Sequence, residues 1–230
     1  MPRFFAEITH FPVAVIHDLP SVHHISGPLR KRKGDEIDIR DMLKGYRARI
    51  VSIESRQIVL EILTEQDLMD RFSATIHLGM CLFDLKDMED AVRYSTELGV
   101  SSIHPVVSER SNIRSISESR YKRWQAIVLE AVKQCERKSI PVLHRVESLE
   151  KFIHSTCRSW GVRLVAIQDA NEFISAYKEQ DMGVLIGPEG GFTSKELDMI
   201  LPEGFIPISL GNTTLRAVTA SIAALSILGL

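Results

Sequence analysis

Cysteine is scarce in this sequence of 230 residues: Cys81, Cys135 and Cys157 are the only three. They are far apart and odd in number, which excludes a disulfide framework and a paired-cysteine zinc site and points to a reducing compartment. No run of 18 apolar residues occurs, and the opening MPRFFAEITHF lacks the basic segment and long apolar stretch of an export signal. A soluble, cytosolic protein without a membrane span is therefore expected. Neither charge dominates, since 28 Lys and Arg stand against 30 Asp and Glu for a net charge of −2. That balance excludes a chain that binds polyanions along its whole surface, and any such contact has to come from a local patch. Neither GxGxxG nor the phosphate-loop pattern is present, so a dinucleotide or ATP site is unsupported. The adjacent pair His23-His24 does not share a helical face, and no metal centre is expected.

What is present is enough apolar residue, 44% of the chain, for ordinary cores, and a length that suits two domains. From Arg3 to about Leu63 the apolar residues alternate or cluster briefly in RFFAEI, EIDIRD, YRARIVSI and QIVLEIL, with breaks at Lys33-Gly34-Asp35 and Lys44-Gly45. This predicts a small β-rich unit. A helical interruption is expected from Ser21, as cap, to Leu29, with Val22, Ile25 and Leu29 on one face. After about Asp70 the rhythm changes to strand and helix in turn. ATIHLGMCL precedes KDMEDAVRYSTEL, whose Met88, Ala91, Val92, Ser95 and Leu98 form one stripe closed by Gly99. SSIHPVV leads to a helix from about Glu118 to Arg137 and a shorter one from Leu149 to Cys157, and VRLVAI, MGVLIG and FIPISL read as further strands. Such alternation predicts an α/β unit with a mostly parallel sheet covered by helices on both faces.

Two segments carry chemistry. The strand ending Gly183-Val184-Leu185-Ile186 runs into Gly187-Pro188-Glu189-Gly190-Gly191-Phe192-Thr193 and then the helix SKELDMIL. Glycines there admit a ligand close to the backbone, and free N–H groups of the turn can hold its polar atoms; a tight connection without a ligand is the plain alternative. A second strand, ending Ile208-Ser209, opens into Leu210-Gly211-Asn212-Thr213-Thr214-Leu215-Arg216 before the helix AVTASIAALSIL. Two strand ends that open into small-residue loops suit a crevice at the carboxyl edge of a parallel sheet. In the last helix Ala217, Ala220, Ala223 and Ala224 permit close backbone packing or simply fill core.

The pair IGPEGGFTSKEL and LGNTTLRAVTASIAAL, in this order, closely resembles the S-adenosylmethionine (AdoMet) loops of SPOUT, or trefoil-knot, methyltransferases. More narrowly the chain resembles the RsmE family, which methylates N3 of a uridine in the decoding region of small-subunit (16S) ribosomal RNA. Further matches are Ser95-Thr96-Glu97-Leu98-Gly99-Val100, the stretch Ile103 to Arg110, Arg123-Trp124-Gln125 and Lys133-Gln134-Cys135-Glu136-Arg137. PRFF and HHISGPLRKRKGDEI are similar to the family's N-terminal barrel. The resemblance implies a PUA-like RNA-binding β-barrel over residues 1–70 and a SPOUT domain over 71–230 with a C-terminal knot, an exception to the rule that folds avoid knots. It also implies a homodimer and a 16S ribosomal RNA or 30S subunit substrate. By motif, Ile186, Gly187, Pro188, Glu189, Gly190 and Gly191 line one side of the cofactor, Leu210, Gly211, Thr214 and Leu215 another, and Arg216 faces the target base.

Methyl transfer from a sulfonium is a direct displacement, so alignment of donor and acceptor is the main task and no metal is needed. Negative charge develops on the uridine carbonyl oxygens as N3 becomes a nucleophile, and a fixed cation, here Arg216, stabilises it. A structural ion pair is the alternative role for that arginine. Between Ile25 and Arg49 eight basic residues face four acidic ones. Arg30, Lys31, Arg32 and Arg47, with Arg3, are therefore the RNA-contact candidates, the alternative being a solvated turn. Three positions depart from the family pattern: Tyr94, Ser139 and Val218. They leave open a non-catalytic RNA-binding protein of the same fold, or a methyltransferase acting on another nucleotide.

Overall fold

The structure is a computed structural model that describes residues 4–41, 44–66, 74–135, 137, 139–177 and 180–229. The chain divides into two compact units, one made of Met1–Asp70 with Lys133–Ser139, the other of Arg71–Val132 with Ile140–Leu230.

In the first unit β1 (Phe4–Phe5), β2 (Glu7–His10), β3 (Val13–Ile16), β4 (Glu36–Arg40), β5 (Gly45–Ile53) and β6 (Ile58–Gln66) form one sheet in the order β1-β4-β5-β6-β3-β2. Only the β1–β4 pair among them is parallel. Period-two alternation sets the faces. Tyr46, Ala48 and Ile50 of β5 and Ile58, Leu60 and Ile62 of β6 point into a core shared with Ala14, Ile16, Ile37 and Ile39, while Arg47 and Arg49 point away from it. The run RFFAEI is split at Ala6 into two strands, and β3 joins the sheet from a short apolar run the sequence pattern did not single out.

Helix α1 (Leu19–Ser26) closes the core with Val22 and Ile25. It starts two residues before the expected cap. Asp18 accepts from the Ser21 N–H at 3.1 Å and from the Ser21 hydroxyl at 2.6 Å, so a carboxylate takes the capping position and Pro20 occupies the first turn, where its missing N–H costs nothing. The helix stops at Gly27-Pro28, short of Leu29.

The second unit holds β7 (Thr75–Cys81), α2 (Leu85–Glu97), β8 (Ser102–Val107), α3 (Glu118–Gln134, its last residues lying in the first unit), β9 (Val142–Leu143), β10 (Glu147–Ser148), α4 (Leu149–His154), β11 (Val162–Ala166), β12 (Glu172–Phe173), β13 (Asp181–Ile186), α5 (Ser194–Ile200), β14 (Phe205–Ser209) and α6 (Ala217–Leu228). Its sheet runs β10-β8-β7-β13-β11-β14-β12, with β9 beside β8, and every pairing among the described residues is parallel. The expected parallel sheet is thus present. β13, buried along nearly its whole length, is inserted between β7 and β11.

Helices cover both faces. On one side α4 and α5 bury Phe152, Ile153 and Ile200 against Cys81, Val106, Val165 and Leu185. On the other, α6 lies on β7 and β13 and against α2, with Ala220, Ser221 and Ala224 buried and the Ser221 hydroxyl 3.7 Å from the Met80 sulfur. Of the small residues of α6, Ala217, Ala220 and Ala224 are buried and Ala223 is half-buried. Helix α2 ends at Glu97 with Leu98 as its cap, and Gly99 follows at φ +94°. Helix α3 ends at Gln134 rather than Arg137, and α4 gives way after His154 to a 3-10 turn over Thr156–Ser159. Among the described residues no helix is long and apolar enough to cross a membrane.

Candidate functional site

Three neighbouring strands, β13, β11 and β14, end together at the carboxyl edge of the parallel sheet. Past those ends lies a cavity of about 270 Å³. Its first wall is the turn after β13, Ile186 to Phe192; its second is Ser209, Leu210, Gly211, Thr213, Thr214 and Leu215 after β14. Ala166, the last residue of β11, with Ile167 and Gln168 after it, and Ala217 and Ala220 of α6 complete the lining.

The first wall is a tight turn, with the Gly191 N–H donating to the Pro188 carbonyl at 2.8 Å and Gly191 at φ +69°. A side chain at Gly187 would put its Cβ 3.0 Å from the Phe192 ring, so the absence of one is what lets the turn fold back on that ring. Phe192 leads directly to α5, whose cap Thr193 and Glu196 exchange hydrogen bonds in a capping box. The second wall is held by Ser209, whose buried hydroxyl donates to the Gly211 carbonyl at 3.1 Å and accepts from the Gly211 N–H at 3.3 Å. Gly211 itself sits at φ +140°, a region that residues with a Cβ avoid.

All ten residues expected to hold the cofactor, Ile186 to Gly191 with Leu210, Gly211, Thr214 and Leu215, line this one cavity. Glycine backbone and apolar side chains line much of it. No cluster of His, Cys, Asp or Glu able to hold a metal occurs among the described residues. Ile167 and Gln168 were not anticipated. The signal was available in the strand VRLVAI, whose end has to open beside those of its parallel neighbours.

Arg216 does not line the cavity. It is exposed at the cap position of α6, between Leu215 and Ala217, which do, and its carbonyl accepts the first helical hydrogen bond from the Ala220 N–H at 2.8 Å. Among the described residues no carboxylate pairs with it. Tyr94, Ser139 and Val218 all lie outside the cavity lining: Tyr94 is exposed on α2, Ser139 accepts from Arg137 at 3.3 Å, and Val218 is half-buried on α6.

The basic candidates belong to the first unit and fall into two kinds. Arg30 and Arg32 are exposed on the connection from α1 to β4, with Arg30 at φ +50°. Lys31 is half-buried and donates to the Glu36 carbonyl at 3.2 Å. Arg47 is already engaged: it stands opposite Asp38 across the β4–β5 ladder and donates to Glu36 and Asp38, each at 3.0 Å. Those two hydrogen bonds raise its pKa above the ordinary arginine value. Arg3 lies outside the described residues.

Residues 70–229 match the family model of the RNA methyltransferase domain. The chain is 32% identical over 212 residues to the ribosomal RNA small subunit methyltransferase E of Buchnera aphidicola (subspecies Schizaphis graminum), covering 90% of this chain and 86% of the relative. To the protein of that name from Synechocystis it is 30% identical, covering 89% of this chain and 69% of the other. Among solved structures, the ribosomal RNA small subunit methyltransferase E of Neisseria gonorrhoeae bound to S-adenosylmethionine superposes with a TM-score of 0.81 at 28% identity, covering 98% of this chain and 95% of that one. A methyltransferase of Legionella pneumophila holding the same cofactor gives a TM-score of 0.81 at 28% identity, covering 98% of this chain and 96% of that one.

Proposed function

Since the chain belongs to the ribosomal RNA small subunit methyltransferase E (RsmE) family, we propose that it transfers the methyl group of AdoMet to N3 of a uridine in 16S ribosomal RNA. The observation that carries this reading is the convergence of the two glycine-containing turns, 186–192 and 209–215, on one cavity at the sheet's carboxyl edge. AdoMet, bound there, supplies an electrophilic methyl on a sulfonium, which leaves as the demethylated thioether.

The chain's own residues position and stabilise. Gly187, Gly190, Gly191 and Gly211 would offer main chain to the donor, and Ile167, Leu210 and Leu215 would offer it apolar surface. Glu189, exposed on the first turn, orients that turn or the donor's polar end. Before the N3–methyl bond forms, N3 gives up its proton to solvent water, and negative charge spreads over the two uridine carbonyl oxygens. Arg216, beside the cavity, is the cation that stabilises that charge.

In this reading residues 1–70 form a PUA-like barrel that holds RNA through Arg3, Arg30, Lys31, Arg32 and Arg47, and residues 71–230 form a SPOUT domain with a C-terminal trefoil knot. The protein works in the cytoplasm as a homodimer on ribosomal RNA or the 30S subunit, without a metal. Incubation with labelled AdoMet and unmodified small subunits, followed by nucleoside mass spectrometry, tests it. N3-methyluridine is expected; a different methylated nucleoside redirects the activity, and no transfer by a folded protein overturns it.

A further inference from the structure

The loop after β8 is fastened to the first wall of the cavity and its extension at two points. Arg110 Nη1 donates to the Gly190 carbonyl at 2.5 Å, and its Cδ lies 3.3 Å from where a Cβ on Gly190 would stand. One residue earlier, the Glu109 N–H donates to Glu196 Oε1 at 2.7 Å, and Glu109 Oε2 accepts from the Thr193 hydroxyl at 3.2 Å. The loop is braced from behind. Arg114 donates to the carbonyls of Ser108 and Glu109 at 2.8 and 2.6 Å, and the Ser108 and Ser111 hydroxyls are 2.9 Å apart.

The two fastenings differ in kind. Glu196 is buried and satisfies the amino end of α5, so its bond to Glu109 belongs to the framework. Arg110 is exposed and reaches the tip of a turn that glycine would otherwise leave free to change shape. The carbonyl it holds, that of Gly190, shares a peptide plane with the Gly191 N–H, which donates to Pro188. One peptide unit is therefore held at both ends, by a guanidinium outside the turn and a carbonyl within it.

We propose that Arg110 is a positioning residue for methyl-donor binding, fixing the Gly190–Gly191 peptide so that the cavity wall has its binding shape before the donor arrives. This rests on reading the cavity as the AdoMet site. An arginine that lowers the entropy of a loop in advance strengthens binding without touching the ligand.

Calorimetry with AdoMet and its demethylated product, on the full chain and on R110A and R110K, tests the assignment. R110A is expected to bind both about tenfold more weakly, because the donor then has to order the turn as it binds, with R110K recovering part of the loss. Both variants stay folded with a thermal midpoint lowered by about 2–4 °C at most, and in turnover the KM for donor rises while kcat and the KM for RNA hold. Wild-type donor affinity in R110A overturns the inference and leaves the cavity reading intact. So does a salt-dependent rise in the KM for RNA at unchanged donor affinity, which would make Arg110 a phosphate contact. If the wild-type protein binds neither compound, the cavity reading fails and the inference with it.

Discussion

His104 and His144 lie ring on ring, with centroids 4.0 Å apart and planes 13° from parallel. They belong to a chain of polar groups near the amino ends of β7, β8 and β13, the opposite edge of the sheet from the cavity. Ser102 Oγ bridges His77 Nδ1 at 2.6 Å and His104 Nε2 at 2.7 Å, and His77 Nε2 faces Asp181 at 3.2 Å. Trp160 stacks on His77 and meets His104 edge-on. His104 is only 4% exposed, and burial, with His144 and His77 as further causes, lowers its pKa from 6.5 to about 3. Burial lowers His77 and His144 as well, against the opposing pull of Asp181 and Glu147 respectively.

A histidine whose folded pKa lies below its unfolded value takes up a proton on unfolding. Its contribution to stability is complete above the unfolded pKa and is lost as pH falls toward the folded one. From pH 7 to pH 5 His104 alone should therefore cost about 2 kcal/mol, with His77 and His144 adding in the same direction. Urea unfolding at several pH values over that interval checks this, and H104L should flatten the slope. An equal slope in H104L would remove His104 from the account.

Two glycines separate folding from binding. Gly183 is packed so closely that an added Cβ would stand 1.8 Å from the Trp160 ring, whereas one on Gly211 would meet nothing within 4 Å but would have to adopt φ +140°. G183A forces the indole out of the core and should lower stability by about 1–3 kcal/mol or more, with donor affinity per folded molecule retained. G211A pays a backbone strain of about 1–3 kcal/mol that the second wall can relieve by changing shape, so donor binding should fall more than stability does. Paired calorimetry and thermal unfolding distinguish the two, and an unaltered affinity in G211A would show that the second wall does not shape the site.

The parallel sheet was legible because buried apolar strands alternating with helices leave a clear pattern, whereas a glycine turn such as that in MGVLIGPEGG fits a ligand site and a plain tight connection equally, and pointed to a cavity only when taken with its partner LGNTTLR. The order of the strands was not. Nothing local in MGVLIG says that β13 enters between β7 and β11, because that choice is made by long-range packing of α4 and α5 on one face and α6 on the other. Strands as short as Val142–Leu143 and Glu172–Phe173 were also out of reach, since two residues cannot establish a period. Nor could charge counting between Ile25 and Arg49 reveal that Arg47 stands opposite Asp38. Cross-strand register decides which arginines retain solvent-facing charge.

That register predicts unequal roles in RNA binding. Arg30 and Arg32 are exposed, whereas Arg47 would have to exchange Glu36 and Asp38 for a phosphate. Removing either of the first two should weaken binding of 16S ribosomal RNA and reduce the dependence of log affinity on log salt by about 1. R47A should change that slope less. Filter-binding titrations at several salt concentrations decide it, and a larger slope change for R47A than for R32A would reverse the assignment.

Arg216 offers the cleanest separation of chemistry from structure. It is an exposed cation at the amino end of α6, where the helix dipole disfavours positive charge, and no carboxylate among the described residues compensates it. Stability gives no reason for the residue, so R216A should leave the thermal midpoint unchanged or slightly raised. Because the side chain stands outside the cavity lining, donor affinity should also hold. What should fall is turnover, by about 10²–10³-fold, the usual cost of losing one preorganised group that stabilises developing negative charge. The loss should appear in kcat with saturating RNA and donor, and R216K, a cation without the planar fork, should restore only part of it. Full turnover in R216A would take the stabilising charge away from this residue.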